Sequence, residues 1–364
     1  MRRKILCVLV LLAVTVCSTV LLKAEEKPEV EVVFCLDTTG SMRGLIEGAK
    51  QKMWSIANQI VMGRPVPDLS IGLVGYRDRG DEYITRVFPL DDDLDAVYEN
   101  LMSFKADGGG DTPEHVNKAL HDAVHEMEWS GESALKVVFL VGDCPPHMDY
   151  RDGYDYHRTC REAVRKDIII NTIQCGDFSE TEKVWREIAR LSEGSYAAVP
   201  QEGGMRIIHT PMDAELASLS EKLEKTIVAY GIAEVFAEST ERLEKVKEMA
   251  PAAAAERAVF KSVAAELSTY DLVDAVKNKR VKLEEIGDEE LPEEMRTMSL
   301  EEKLDYLDAK EKHRMELKAR IAKLNRERSD YIAVLIKENL KGDSFDESVQ
   351  EMIKEQASEV GIRY

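Results

Sequence analysis

Several kinds of chemistry are missing from this sequence. It has no basic tract: 49 lysines and arginines stand against 69 aspartates and glutamates, for a formal charge of −20. Nucleic-acid binding needs clustered cations to neutralise phosphates, so it is not expected. No Gly-x-Gly-x-x-Gly opens a helix and no Gly-Lys-Ser/Thr loop occurs, which sets aside the usual phosphate cradles. No cysteine or histidine spacing matches a zinc site. His121 and His125 are four apart on a helical stretch with no third ligand nearby, so they read as surface histidines.

Cysteine is scarce, at six residues. Cys35 and Cys175 lie in apolar strands, where buried free thiols are the usual outcome. Cys144 follows a strand and Cys160 lies in the next helix, making them the candidate disulfide pair in an oxidising compartment.

The longest apolar run is Ile5 to Leu22, broken only by Thr15 and by Cys17, Ser18 and Thr19, and preceded by Arg2, Arg3 and Lys4. It reads as a signal peptide over residues 1–24, with cleavage expected after Ala24. A run of this length is at the lower edge of what crosses a bilayer, so a retained N-terminal anchor is the alternative. A lipoprotein reading of Cys17 meets the bulky Val16 before it. Either way the chain is expected in a secreted, periplasmic or cell-envelope location.

From residue 29 onward strand and helix patterns alternate, which predicts an α/β fold with a doubly wound, mostly parallel sheet. Residues 30–37 form the first strand. Met42, Leu45, Ile46, Ala49, Met53, Ile56 and Ile60 then recur at helical steps. Leu69 to Tyr76 and Tyr83 to Leu90 read as a hairpin contributing one antiparallel edge strand. Helices over 92–104 and 113–128 lead to an uninterrupted apolar strand, 136–142. A helix (157–167), a strand (Ile168 to Cys175), a helix (Thr181 to Ser192) and a last strand (Ser195 to Val199) follow. Leu216, Leu219, Leu223 and Ile227 mark a closing helix.

Three loops carry oxygen side chains. Asp37, Thr39 and Ser41 occupy alternate positions just after the first strand. One carboxylate and two hydroxyls suit a hard cation such as Mg²⁺ better than Zn²⁺, although Thr-Thr-Gly-Ser is also ordinary turn and N-cap chemistry. Gly108-Gly109-Gly110-Asp111-Thr112-Pro113-Glu114 is a flexible glycine run ending in oxygen ligands, with helix capping by Asp111 or Thr112 as the bland reading. Asp143 directly follows the strand 136–142. Ligands of open α/β sheets bind at that carboxyl edge, near the point where strand order reverses.

Over residues 29–230 the chain resembles the von Willebrand factor A family, whose metal-ion-dependent adhesion site carries Asp-x-Ser-x-Ser; Thr39 replaces the first Ser and keeps its hydroxyl. The resemblance implies a bound Mg²⁺, with Mn²⁺ or Ca²⁺ as alternatives, held by Asp37, Thr39, Ser41, Asp143 and a second-loop residue. Family spacing from Ala119-Leu120 favours Glu114 for that residue, whereas residue type favours Thr112. It implies further that a partner's Asp or Glu carboxylate completes the shell.

Asp78, in the turn Tyr76 to Asp81, is either a carboxylate behind the metal ligands or, as favoured, part of a solvated charged turn. The stretch Arg151 to His157 is either a partner-recognition loop or a polar connection.

Residues 231–364 read as a helical region. Leu317, Ile321, Leu324, Tyr331 and Leu335 follow a four-three rhythm, with Arg328 at one expected apolar position. This fits a short coiled coil within 300–340 or, equally, amphipathic helices packed on the first region. A capped helix follows from Asp343-Ser344-Phe345-Asp346.

The leading functional expectation is an exported binding or adhesion protein that captures a protein partner. The alternative is a helical scaffold that self-associates, its metal only stabilising. A remote third is Mg²⁺-dependent phosphotransfer with Asp37 as nucleophile. That chemistry would want another Asp two positions on, where Thr39 stands, and no lysine partner is evident, so an enzyme is not expected.

Overall fold

The computed structural model describes residues 27–110, 112–131, 134–264, 266–339 and 344–364. The N-terminal segment over 1–24 lies outside them. No described helix is long and apolar enough to cross a membrane.

Strand β1 (Glu29–Asp37) is central because it is apolar on both faces, and helix α1 (Arg43–Val61) follows it. Next come β2 (Asp68–Tyr76), β3 (Thr85–Asp91), α2 (Leu94–Ser103), α3 (Val116–His125), β4 (Leu135–Gly142), α4 (Tyr156–Arg165), β5 (Ile168–Cys175), α5 (Ser179–Leu191) and β6 (Tyr196–Val199). The sheet order is β3-β2-β1-β4-β5-β6, all parallel except the β2–β3 pair. The antiparallel edge expected from the hairpin is therefore present.

Alternation along β1 divides the core. Val30, Val32, Phe34 and Leu36 pack with α1 and α2, while Val33 and Cys35 pack with α3, α4 and α5. Helix α3 is shorter than the predicted 113–128. Glu114 is drawn into a bridge with Pro146, so the helix starts only at Val116.

The remaining helices are α6 (Asp213–Glu224), α7 (Ala233–Glu248), α8 (Pro251–Val263), α9 (Leu272–Lys277), α10 (Leu300–Asn339) and α11 (Ser344–Ala357). They do not form a detached region. Leu216, Leu219 and Leu223 of α6, expected to close the sheet domain, instead join Ala255, Ala258, Leu317, Ile321 and Leu324 in a helical core; Ile227 lies beyond the helix end. Of the stripe read either as a coiled-coil seam or as packed amphipathic helices, Leu317, Ile321 and Leu324 are thus covered by the chain's own α6 and α8. Arg328 is buried in that stripe because its guanidinium meets Asp213 Oδ1 at 2.9 Å and Glu256 Oε1 at 2.6 Å. Tyr331 is 38% exposed, past the end of this packing.

Helix α11 returns to the sheet. Phe345, Val349, Met352, Ile353 and Ala357 are buried in the same core as β1 and α1. The chain end is pinned by an antiparallel bridge between Arg64 and Arg363. Asn171 of β5 and Gln356 of α11 exchange amide hydrogen bonds at 3.0 and 2.8 Å, satisfying two buried polar side chains at once.

Candidate functional site

The strand order places β2 on one side of β1 and β4 on the other, so the crevice at their carboxyl ends is the switch point of the sheet. Leu36 pairs with Val141 in register, which brings Asp37 and Asp143 to the same edge. Glycine is needed between them: a Cβ on Gly142 would collide with the Tyr76 hydroxyl and stand 3.2 Å from Asp37 Cβ.

Asp37 is fully buried. Its Oδ1 accepts from the Thr39 amide at 2.8 Å and from the Thr39 hydroxyl at 2.6 Å, while Oδ2 is buried without a hydrogen-bond partner. Thr39 Oγ1 and Ser41 Oγ are 3.2 Å apart, and Ser41 is exposed. The three residues of the first loop therefore present carboxylate and hydroxyl oxygens together.

The glycine run lies directly over this loop. Gly40 donates to Gly108 O at 3.2 Å. Gly109 adopts φ +80°, and a Cβ there would fall 3.0 Å from Thr39 Cβ and 3.4 Å from Glu114 Oε1, so the close approach requires glycine. Glu114 is 1% exposed and its Oε2 has no hydrogen-bond partner. Its backbone is fixed at both ends, donating to Pro145 O and accepting from the His147 amide, each at 3.0 Å. Thr112, by contrast, is exposed. The alternative between these two residues is thus a contrast of burial, with Glu114 turned into the crevice.

Asp143 Oδ2 accepts from Gln201 Nε2 at 2.7 Å, and Oδ1 is buried and unpartnered. Its carbonyl is held by the Thr181 hydroxyl at 2.7 Å. Gln201 had no signal in spacing or residue type. It could have been found only as the polar residue just past the carboxyl end of the last strand.

Burial and the Asp143 charge push the Asp37 carboxyl up to about 7. Burial, with the charges of Asp37, Asp78, Asp81 and Asp143, pushes Glu114 up to about 9. Three unpartnered carboxylate oxygens in one crevice are costly as they stand, and a positive charge there would offset that cost. The donor set is all oxygen, which fits Mg²⁺, Mn²⁺ or Ca²⁺ rather than a soft metal.

Two expectations change here. Asp78 itself is not solvated, although Arg79 and Gly80 beside it are exposed: it is 5% exposed, covered by Tyr150, whose hydroxyl donates to Asp78 Oδ2 at 2.7 Å. Cys144 and Cys160 are free, as are Cys35 and Cys175. Cys160 faces α5, with its thiol 3.9 Å from Ile188 O, while Cys144 sits beside Asp143 at the crevice, so the pair is not bonded. The stretch from Arg151 to His157 supplies Asp152, which pairs with His115 at 2.9 Å and Arg79 at 2.6 Å.

His121, Asp122 and Glu126 also gather potential ligand atoms within 4.8 Å of one another. Asp122 is already occupied by Lys118, at 2.6 and 2.9 Å. His125 pairs with Glu162 at 2.9 Å.

Residues 31–211 match the von Willebrand factor A domain. Among curated proteins, the chain is 24% identical over 148 residues to the putative ariadne-like RING finger protein R811 of Acanthamoeba polyphaga mimivirus, covering 41% of this chain. It is 28% identical over 130 residues to the alpha-protein kinase vwkA of Dictyostelium discoideum, covering 35% of this chain. The chain spans only 14% and 20% of those two proteins. Among solved structures it is similar to the SpRpn10 VWA domain, at 15% identity and a TM-score of 0.37, over 48% of this chain and 89% of that one. It is also similar to proximal thread matrix protein 1 from the mussel byssus, at 17% identity and a TM-score of 0.35, over 48% and 43%.

Proposed function

We propose, from the match of residues 31–211 to the von Willebrand factor A domain, that the protein is a non-catalytic binding protein that captures a protein partner through a divalent cation at the sheet's switch point. The cation is Mg²⁺, with Mn²⁺ or Ca²⁺ as substitutes. Asp37 supplies charge, Thr39 and Ser41 supply hydroxyl oxygens, Glu114 supplies the second-loop oxygen in place of Thr112, and Asp143 supplies a carboxylate held in orientation by Gln201. A bound cation of this kind offers a coordination position to an Asp or Glu carboxylate of the partner. Export through residues 1–24 is part of the same proposal.

The observation that carries this reading is the set of buried, unpartnered oxygens on Asp37, Glu114 and Asp143, converging from three separate loops. A turn formed only for capping would leave no such set, because capping oxygens are satisfied by backbone N–H groups.

The test is a pull-down from the envelope or extracellular fraction in Mg²⁺ and in chelator, with Asp37→Ala as control. A partner retained only by wild-type protein in Mg²⁺ supports the proposal. Equal retention in chelator, or by the variant, contradicts it.

A further inference from the structure

The turn between β2 and β3 holds a carboxylate that the cation reading above does not use. Asp78 Oδ2 accepts from the Tyr150 hydroxyl at 2.7 Å and lies 3.4 Å from His147 Nε2. Asp78 Oδ1 is buried and has no hydrogen-bond partner. The neighbouring cations are engaged elsewhere. Arg77 donates to Thr38 O and Lys105 O, and Arg79 pairs with Asp152 while lying 3.9 Å over the Tyr150 ring.

The backbone brings this turn against the second loop of the site. The His115 amide donates to Arg77 O at 3.1 Å, joining the residues next to Glu114 and Asp78. His147 donates its amide to Glu114 O at 3.0 Å and turns its ring toward Asp78. The His147 and Tyr150 rings stack at 4.1 Å, which fixes the hydroxyl that orients Asp78. Glu114 and Asp78 are thus two buried carboxylates on adjoining segments, each with one unpartnered oxygen.

We infer that Asp78 is a fourth carboxylate of the cation centre, acting from the β2–β3 turn on the ion's water shell, with Tyr150 as the residue that positions it. Mg²⁺ keeps several of its waters, and a fixed carboxylate behind them orients and retains them. This inference rests on the cation reading.

The test titrates full-length, cation-stripped protein with Mn²⁺, followed by electron paramagnetic resonance of the free ion and by calorimetry. Wild type is compared with Asp37→Ala, Asp78→Asn and Tyr150→Phe. Asp37→Ala is expected to lose saturable binding, and Asp78→Asn to raise the Kd by about 10–100-fold. Tyr150→Phe shifts the Kd in the same direction by less. In cation-free buffer Asp78→Asn melts no lower than wild type, because it removes one carboxyl from a crevice that already gathers Asp37, Glu114 and Asp143. A merely structural Asp78 would show the reverse, a lower cation-free melting temperature with an unchanged Kd. An unchanged Kd for Asp78→Asn, beside a wild type that binds, overturns this inference and leaves the cation reading standing. No saturable binding by wild type overturns the cation reading itself. If Asp78→Asn does not fold, Tyr150→Phe decides, and an unchanged Kd for it overturns the inference.

Discussion

Arg257 of α8 grips Asp95 of α2 with two nearly parallel hydrogen bonds, 2.6 Å from Nε and 2.8 Å from Nη2. Both side chains are buried, and the same guanidinium reaches Glu224 and Ser220 of α6. One arginine therefore locks the helical region onto the sheet domain. Trp54 of α1 and Phe260 of α8 add an aromatic contact at 5.6 Å across the same boundary.

Arg257→Ala leaves Asp95 and Glu224 buried with too little positive charge. A loss of about 3–5 kcal/mol is expected, as for breaking a buried pair by removing one partner. Chemical denaturation checks this. Because the charge spans the boundary, wild type should unfold in one transition, and a chain ending at residue 230 should be far less stable than the whole.

Helix α11 makes a second such prediction. Phe345 is 1% exposed and contributes to a core shared with β1 and α1. Phe345→Ala is expected to cost about 3–5 kcal/mol. A surface change on the same helix, Glu351→Ala, should fall within about 0.5 kcal/mol of wild type.

The second loop separates two residues that the sequence left as alternatives. Glu114→Gln removes a buried carboxyl turned into the crevice, one that a cation would hold in its ionised form, and should weaken stabilisation by Mg²⁺. Thr112→Ala, at an exposed position, should leave it unchanged. Thermal melts with and without Mg²⁺ distinguish them, and the opposite pattern would restore Thr112 as the ligand.

The raised carboxyls give a pH dependence with a definite sign. Asp37 and Glu114 ionise at about 7 and about 9 in the folded, cation-free chain, against about 4 when unfolded. The folded state then holds more protons than the unfolded state between those values. Cation-free stability from these two groups is full below pH about 4 and is lost as pH rises through 7 to 9. Mg²⁺ competes with those protons, so its stabilising effect should grow over the same range. Melting curves at several pH values, in chelator and in Mg²⁺, measure both trends.

The parts of this fold legible in the sequence were those fixed by local pattern. The apolar runs at β1 and β4 and the hairpin at Leu69 to Leu90 set the sheet, and Asp37 and Asp143 followed from lying at strand ends. What depended on distant partners was not legible. Arg328 looked like a flaw in an apolar stripe until Asp213 and Glu256 met it. Asp78 looked solvated because Tyr150, which covers it, lies 72 residues away in sequence. Gln201 reaches Asp143 across 58 residues, and its residue type carries no hint of that role. The helical character of residues 231–364 was visible, but α7, α8 and α9 were not separable in it, and the docking of α8 and α11 on α1 and β5 rests on tertiary contacts that periodicity does not encode.

The central claim is that the crevice at the ends of β1 and β4 is a cation site built around Asp37. The most direct measurement is the melting temperature of wild type and Asp37→Ala, cation-stripped and then titrated with Mg²⁺ at pH 7.5. At 100 times the dissociation constant wild type should gain about 2.7 kcal/mol, while the variant gains nothing. Equal behaviour of the two proteins, whether both shift or neither does, would contradict it.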